Sequence, residues 1–470
     1  MRVLCLALLL GLLPAVAEPA ALTRPNILFI MVDDLGPEWI SCYGGRELKT
    51  PRIDALAAGG MRFTNAYSMP QCTPTRVTLL TGQYPFRHGW CNHWDVPRWG
   101  AGCHFDPKHN LTFARILREA GYATVVADKW QINDFRVQPL VLKDHGFDAW
   151  CMWTGYEGRN PPSGKRYWDP YIYTSGEKSR THKGRFGPDL YTDFLVDFMK
   201  RHQRQPMLLY FPMVLTHGPQ VHTPQKPNAK TRLEKHKAMV TYTDLLVGRL
   251  VDTLDQLKIR RRTIVIFTTD NGTGKRFRAR MDGPSGTRVV RGGKALLTEN
   301  GPWQPFIVNC PGTVPAGVVN DTLTDFTDML PTFVELAGAR LPGGLVLDGH
   351  SIAPVLLGRK TNGPRTWILA MGRGAAALDE KGVRPRQAYT DRVLRDKRFK
   401  VLVESGRITR LHDLQADPEE LKNLVDSGSA VHVTARKKFM RIIAGFPKRD
   451  PRPRYDPTPP QPWDRKPAGR

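Results

Sequence analysis

Pro25-Asn26-Ile27-Leu28-Phe29-Ile30-Met31-Val32-Asp33-Asp34-Leu35-Gly36 is an unbroken apolar run that turns abruptly acidic. Such a run has no wet face to alternate with a dry one. It therefore reads as a parallel strand buried on both sides, with polar groups at its carboxyl end. Three more segments repeat the pattern. Thr263 to Thr268 runs into Asp270-Asn271-Gly272, Met207 to Leu215 into Thr216-His217-Gly218-Pro219, and Tyr122 to Ala127 into Asp128-Lys129-Trp130-Gln131. Ligands of open parallel sheets collect outside the carboxyl ends of the strands. Four strands thus aim polar side chains at one rim.

Helical segments lie between them. Thr50-Pro51, then Ile53, Leu56 and Ala57, then Gly59-Gly60 supply a cap, a proline at the first helical position, an apolar face and a glycine stop. Thr112 to Glu119, Asp189 to Arg201, Arg232 to Lys258 and Thr327 to Leu336 are further helices. Alternating strands and helices predict an α/β fold with a large, mostly parallel central sheet flanked by helices. Tyr156 to Pro188 breaks the rhythm and reads as a long excursion over the rim. After Pro364 come short strand-like pieces, Gln387 to Leu394, Phe399 to Glu404 and Ile408 to Leu414, then a helix near Val431. The expected organisation is a leader over residues 1–17, a main domain over 24–364, a small antiparallel subdomain over 365–446, and a basic, proline-rich, disordered tail over 447–470.

Arg2, the apolar stretch Val3 to Val16 and the Ala15-Val16-Ala17 end fit an export signal. The expected product is secreted or periplasmic, without a membrane anchor, because the stretch is shorter than the roughly 20 residues that span a bilayer. Beyond Cys5, the cysteines Cys42, Cys72, Cys91, Cys103, Cys151 and Cys310 are too few for a disulfide scaffold in a chain of 470 residues. Cys91 and Cys103 are the closest-spaced pair, and a bond between them is the one considered. A formal charge of +25 would attract polyanions such as sulfated polysaccharide or nucleic acid.

The chemistry centres on Cys72-Thr73-Pro74-Thr75-Arg76, followed by Leu79-Leu80-Thr81-Gly82. Pro74 suits the first turn of a helix and Gly82 its end, so Cys72 stands at a helix N-terminus that favours anions, with Arg76 on the same face. Asp33, Asp34, Asp270 and Asn271 are hard oxygen donors from two strand ends, the kind of set that holds Ca²⁺ or Mg²⁺. The C-x-P-x-R run with these partners resembles the signature of the sulfatase family, arylsulfatase-like and within the alkaline phosphatase superfamily. The resemblance extends over Asn26 to Gly36, Thr50 to Tyr67, His145 to Asp148 and Leu411 to Leu424.

The resemblance implies an alkaline-phosphatase-like fold and hydrolysis of sulfate esters. It implies that a separate maturing enzyme converts Cys72 to formylglycine, whose hydrate attacks sulfur. Asp33, Asp34, Asp270 and Asn271 would bind calcium, or magnesium, in contact with residue 72. Arg76 would position the formylglycine, Lys129 and Lys294 would hold sulfate, and His217 would protonate the leaving alcohol with Lys294.

Two departures stand out. Where the family reads Gly-Lys-Trp-His-Leu-Gly, this chain has Asp128-Lys129-Trp130-Gln131-Ile132-Asn133, and Gln131 cannot take a proton as the imidazole would. Asp128 and His93 are replacements suggested by their nearness in sequence. A usual arginine is replaced by Trp303. Tyr167, Trp168, Tyr171 and Tyr173 among Arg159, Lys165, Arg166, Lys178 and Arg180 could stack on sugars and pair with sulfates, or simply anchor a solvated loop. The expected function is a sulfatase acting on a sulfated carbohydrate, with no role in nucleic-acid binding. The alternatives are a phosphodiesterase or phosphonate monoester hydrolase with the same nucleophile, and a sulfatase-like anion-binding protein of low activity.

Overall fold

The computed structural model describes residues 23–93, 102–154, 165–284, 286–462 and 464. The expected leader and Arg159 lie outside them. The strands are β1 (Asn26–Val32), β2 (Met61–Tyr67), β3 (Ala123–Lys129), β4 (Ala149–Trp153), β5 (Tyr171–Thr174), β6 (Arg180–Thr181), β7 (Met207–Pro212), β8 (Thr263–Thr269), β9 (Arg278–Gly283), β10 (Gly286–Arg291), β11 (Phe306–Asn309) and β12 (Val318–Asp325). A C-terminal group follows: β13 (Ile368–Met371), β14 (Ala377–Asp379), β15 (Gly382–Arg384), β16 (Arg392–Arg395), β17 (Phe399–Glu404) and β18 (Arg407–Asp413). The helices are α1 (Pro51–Ala58), α2 (Cys72–Thr81), α3 (Pro85–His88), α4 (Phe113–Glu119), α5 (Val141–Asp144), α6 (Gly187–His202), α7 (Arg232–Gln256), α8 (Met329–Leu336), α9 (Ala353–Leu356) and α10 (Ala430–Ala444).

The main sheet has the order β12-β2-β11-β8-β1-β7-β3-β4-β5-β6. β1 pairs in parallel with β7 and β8, β3 with β4 and β7, and β12 with β2. Only β11 and β5 run against this direction among the described strands of the sheet. Every residue of β1 is buried, and the two-residue period divides the strand between two cores. Ile27, Phe29 and Met31 pack with α2, α4 and α8 on one face. Leu28, Ile30 and Val32 pack with α1, α6 and α7 on the other. The result is a helix–sheet–helix sandwich, so the rim at the carboxyl ends is the place left for a ligand.

A four-stranded antiparallel sheet, β13-β16-β17-β18, lies under α10, whose Ala435 and Phe439 pack with Val401, Val403 and Leu411. It is pinned to the larger body by Arg365, whose Nε donates to both carboxylate oxygens of Asp328 at 2.7 and 2.8 Å. No helix among the described residues is long and apolar enough to cross a membrane.

Four expectations change. The excursion is not structureless: its described part, 165–188, adds the antiparallel edge strands β5 and β6. The strand expected to reach Leu215 ends at Pro212, because Val214 N–H donates to the Asp128 side chain at 2.7 Å instead of a neighbouring strand. Cys91 and Cys103 are both free, buried thiols in different hydrophobic clusters, Cys91 beneath the small sheet and Cys103 in the main core. The tail does not hang free over its described length. Asp450 meets Arg392 at 2.8 Å, Arg452 meets Asp379 at 2.6 Å, and Asp456 accepts from Lys108 at 2.6 Å. Asp450 also accepts from Thr390 N–H, which holds 387–391 outside the strand expected there.

The Arg392–Asp450 pair has both side chains at 0% exposure. Removing one partner leaves an uncompensated buried charge, so Asp450→Ala is expected to lower stability by about 3–5 kcal/mol, read by chemical denaturation.

Candidate active site

Sheet register assembles the site. Val32 pairs with Thr269, so the next residues, Asp33 and Asp270, emerge side by side. Asp33 N–H donates to Leu215 O at 2.7 Å, bringing the segment after β7 to the same place. Lys129 ends β3, and α2 begins just past β2 with Cys72 as its first residue. Gly82 closes α2 in the left-handed region at φ 67°, returning its N–H to Thr78 O at 2.9 Å. Thr75 Oγ1 donates to Asp270 O at 2.8 Å and fixes the helix start against the end of β8.

Charges interlock within this frame. Arg76 Nη2 donates to Asp270 Oδ2 at 2.9 Å, and Arg76 Nη1 donates to Lys129 O at 2.9 Å. Lys129 pairs with Asp33, and Lys294 Nζ donates to Asp34 Oδ2 at 2.7 Å. Asn271 Nδ2 donates to Asp34 Oδ1 at 2.8 Å. Lys294 reaches the site because glycines precede it. A Cβ on Gly292 would lie 2.3 Å from Gly274 O, and one on Gly293 would lie 2.4 Å from the Asn300 backbone.

Burial grades the cluster. Asp33, Arg76, Lys129, Asp270 and Cys72 are all but sealed, whereas the side chains of Lys294 and His217 are 21% and 26% exposed. Reagents must therefore arrive from the Lys294–His217 side. A thiolate at Cys72 would act electrostatically on Lys294, Asp270 and Arg76, which places it among them.

Burial would raise the pKa of Asp33, but Lys129, helped by Arg76 and Lys294, outweighs it and holds this carboxyl far below the usual range. Asp34 and Asp270 are pushed up, chiefly by burial and also by Asp33. Burial, then Lys294, drives His217 well down. Its Nε2 lies 3.8 Å from Asp34 Oδ2. Its Nδ1 lies 2.9 Å from Arg166 Nη1 and 2.7 Å from Gly218 O. Arginine can only donate and a carbonyl only accept, so Nδ1 is served by Arg166 when bare and by Gly218 O when protonated.

The donor set fits a hard divalent cation. Asp33, Asp34 and His217 place ligand atoms within 4.8 Å of one another. Asp33 Oδ1 and Asn271 Oδ1 are buried oxygens with no hydrogen-bond partner, although buried oxygens are normally satisfied. All oxygen donors are of the type that calcium and magnesium prefer.

Sequence reasoning thus named nine side chains that the fold gathers: Asp33, Asp34, Cys72, Arg76, Lys129, His217, Asp270, Asn271 and Lys294. Of the suggested replacements for the missing imidazole, His93 is brought against Gln131, with Nε2 atoms 2.9 Å apart, and Gln131 reaches Thr73 Oγ1 at 3.4 Å. Asp128 instead turns to Val214 N–H, its carboxyl raised well above normal by burial. Trp303 donates its indole N–H to Thr64 O at 2.9 Å and serves packing. The aromatic loop anchors itself as well. Tyr167 O–H donates to Val214 O at 2.9 Å, Trp168 to His222 O at 3.0 Å and Tyr173 to Pro139 O at 2.7 Å. The contact of Arg166 with His217 had no sequence signal, since it joins two loops far apart in the chain.

The family model for sulfatases matches residues 25–339, and the model for the C-terminal region of N-sulphoglucosamine sulphohydrolase matches 293–442. The chain belongs to the sulfatase family, a family of sulfuric ester hydrolases. It is 34% identical to human arylsulfatase A over 376 residues, covering 76% of this chain and 71% of that protein. It is 32% identical to N-acetylgalactosamine-6-sulfatase of Canis lupus familiaris over 359 residues, covering 71% of this chain and 66% of that one, about two thirds of its length. The crystal structure of Ps i-CgsB in complex with k-i-k-neocarrahexaose superposes with a TM-score of 0.73 at 24% identity, covering 91% and 94% of the two chains, a likeness of fold.

A cation bound by these oxygens stabilises the folded state by mass action. Calcium at 100 times its dissociation constant should add about 2.7 kcal/mol, seen as a rise in melting temperature. Asn271→Ala should lose most of that rise.

Proposed function

We propose that this sulfatase-family chain hydrolyses sulfate esters of carbohydrates, with residue 72 as formylglycine and a calcium ion held by Asp33, Asp34, Asp270 and Asn271. The carrying observation is the convergence of Cys72, Arg76, Lys129 and Lys294 on one carboxylate cluster that opens to solvent beside His217. The names of the relatives support a sugar substrate, since one is an N-acetylgalactosamine-6-sulfatase and one structure holds a neocarrahexaose. Export through the leader at residues 1–17 and maturation of Cys72 by a separate enzyme belong to the same reading.

Residue 72, as an aldehyde hydrate, would supply the nucleophile, and a cation held by Asp33, Asp34, Asp270 and Asn271 would supply a Lewis acid. Lys129 and Lys294 gather the negative charge of the sulfate, and Arg76, fixed by Asp270, positions residue 72. Arrival of the sulfate's charge favours the imidazolium of His217, opposing the burial that otherwise keeps it neutral. His217 then gives the Nε2 proton to the departing alcohol, while Gly218 O accepts Nδ1–H. His93, in contact with Gln131, is the imidazole assigned to proton uptake in the second half of the cycle.

Mass spectrometry of the peptide containing residue 72, from protein made in its native host, should show a loss of about 18 Da relative to cysteine. An aryl sulfate should turn over much faster than an aryl phosphodiester; the reverse preference would favour the phosphodiesterase alternative. His217→Ala should cost about 10²–10⁴ in kcat on alkyl sulfates and far less on an ester whose alcohol leaves readily, a contrast that loss of folding would not produce. If His93 does not serve as base, His93→Gln will leave turnover intact. A large gain on Gln131→His would indicate the low-activity alternative.

A further inference from the structure

A cavity of about 780 Å³ opens beside Lys294, with Arg232, Lys235, Lys275, Arg276 and Phe277 among its lining residues. That volume is within the ~300–1,000 Å³ typical of small-ligand sites. Arg232 and Lys235 stand on the first turn of α7, and Lys275 and Arg276 on the loop that leaves β8 just past Asn271. The lining holds five cations, Lys294 included, and no acid.

The four cations beyond Lys294 make no ion pair among the described residues, unlike their neighbours on the same surface. Lys237 and Arg280 share Glu47 at 2.8 and 2.9 Å, and Arg46 pairs with Asp282 at 2.5 Å. The acid closest in sequence, Glu234, is committed to the cap of α7, accepting from Lys230 and Thr231 N–H at 2.8 and 3.0 Å. Like charges gathered in a concave wall repel one another and focus a positive potential, which a bound anion relieves. Phe277 is backed by His236 at 4.1 Å between ring centroids and 17° between planes, so it forms a fixed apolar wall against which a sugar ring can lie.

We propose that this cavity is an anion subsite, taking a second sulfate or carboxylate on the saccharide whose ester is held at Lys294. The substrate class is then a polyanionic oligosaccharide rather than a singly sulfated sugar. This rests on the sulfatase reading of the neighbouring centre and adds to it a recognition element built by the α7 start and the loop after β8. The aromatic and basic loop at 165–180 is occupied with its own anchoring and is not that element.

The test compares wild type with Arg232→Gln/Arg276→Gln. The ratio of kcat/KM on a polysulfated oligosaccharide to kcat/KM on a small aryl sulfate should fall at least about tenfold, and the difference should shrink as salt rises. Arg232→Lys/Arg276→Lys should restore most of the ratio. Equal losses on both substrates, or none on either, would overturn the subsite. Binding is read apart from turnover by calorimetry on the Cys72→Ala protein, with and without the double glutamine change. The probes are a carrageenan hexasaccharide bearing sulfates only, a hyaluronan hexasaccharide bearing carboxylates only, and a heparin-derived hexasaccharide bearing both. Tighter binding of the first or second identifies the anion; affinity for all three that ignores the glutamine change sinks the inference. Cavity-dependent binding without any turnover by the mature protein would instead remove the sulfatase reading and leave the anion site.

Discussion

Three carboxylates and three cations, nearly dry, hold one another at the carboxyl rim of the main sheet: Asp270 with Arg76, Asp33 with Lys129, and Asp34 with Lys294. Each buried ion costs several kcal/mol to desolvate, and the pairs repay that only when their geometry is close. The surrounding fold supplies that geometry. Asp33 and Asp270 emerge from adjacent strands in register, Lys129 from a third, and Arg76 from the helix after a fourth. Loss of any one partner would strand a charge, so the cluster is held as a unit.

The same constraint explains the gradient of exposure across the site. Arg76 and Lys129 are sunk behind their carboxylates, with the Arg76 guanidinium donating to the Lys129 carbonyl, and serve as fixed charges. Lys294 and His217 stand at the opening, where an incoming anion meets them first. Preorganised charge at the back and exchangeable groups at the front suit a reaction in which negative charge builds up on an ester oxygen as it leaves. The basic cavity beyond Lys294 extends the positive potential outward from that opening.

Much of this was legible in the chain. The four apolar runs ending in polar residues became β1, β3, β7 and β8, since a strand buried on both faces needs an unbroken apolar code. The start of α2 at Cys72 and its stop at Gly82 followed from local proline and glycine chemistry. Strands β2, β11 and β12 were not anticipated. Met61–Tyr67 mixes polar with apolar residues, and Phe306–Asn309 is too short to signal its antiparallel insertion between β2 and β8. The C-terminal segment read as disordered from its prolines and arginines, but the acids that bind it, Asp379 and Asp106, lie far off in sequence.

The sequence by itself determined the cast of the site, because a strand end, a helix start or a glycine-flanked lysine is encoded within a few neighbouring residues. Tertiary structure alone decided which members meet. Register set Asp33 beside Asp270, loop packing set Arg166 on His217 and His93 on Gln131, and the turn after β8 faced the start of α7 to make a cavity lined by cations. The physical reason is range. Propensity and capping act over a helical turn, whereas charge pairing and burial act through space between segments that lie far apart along the chain.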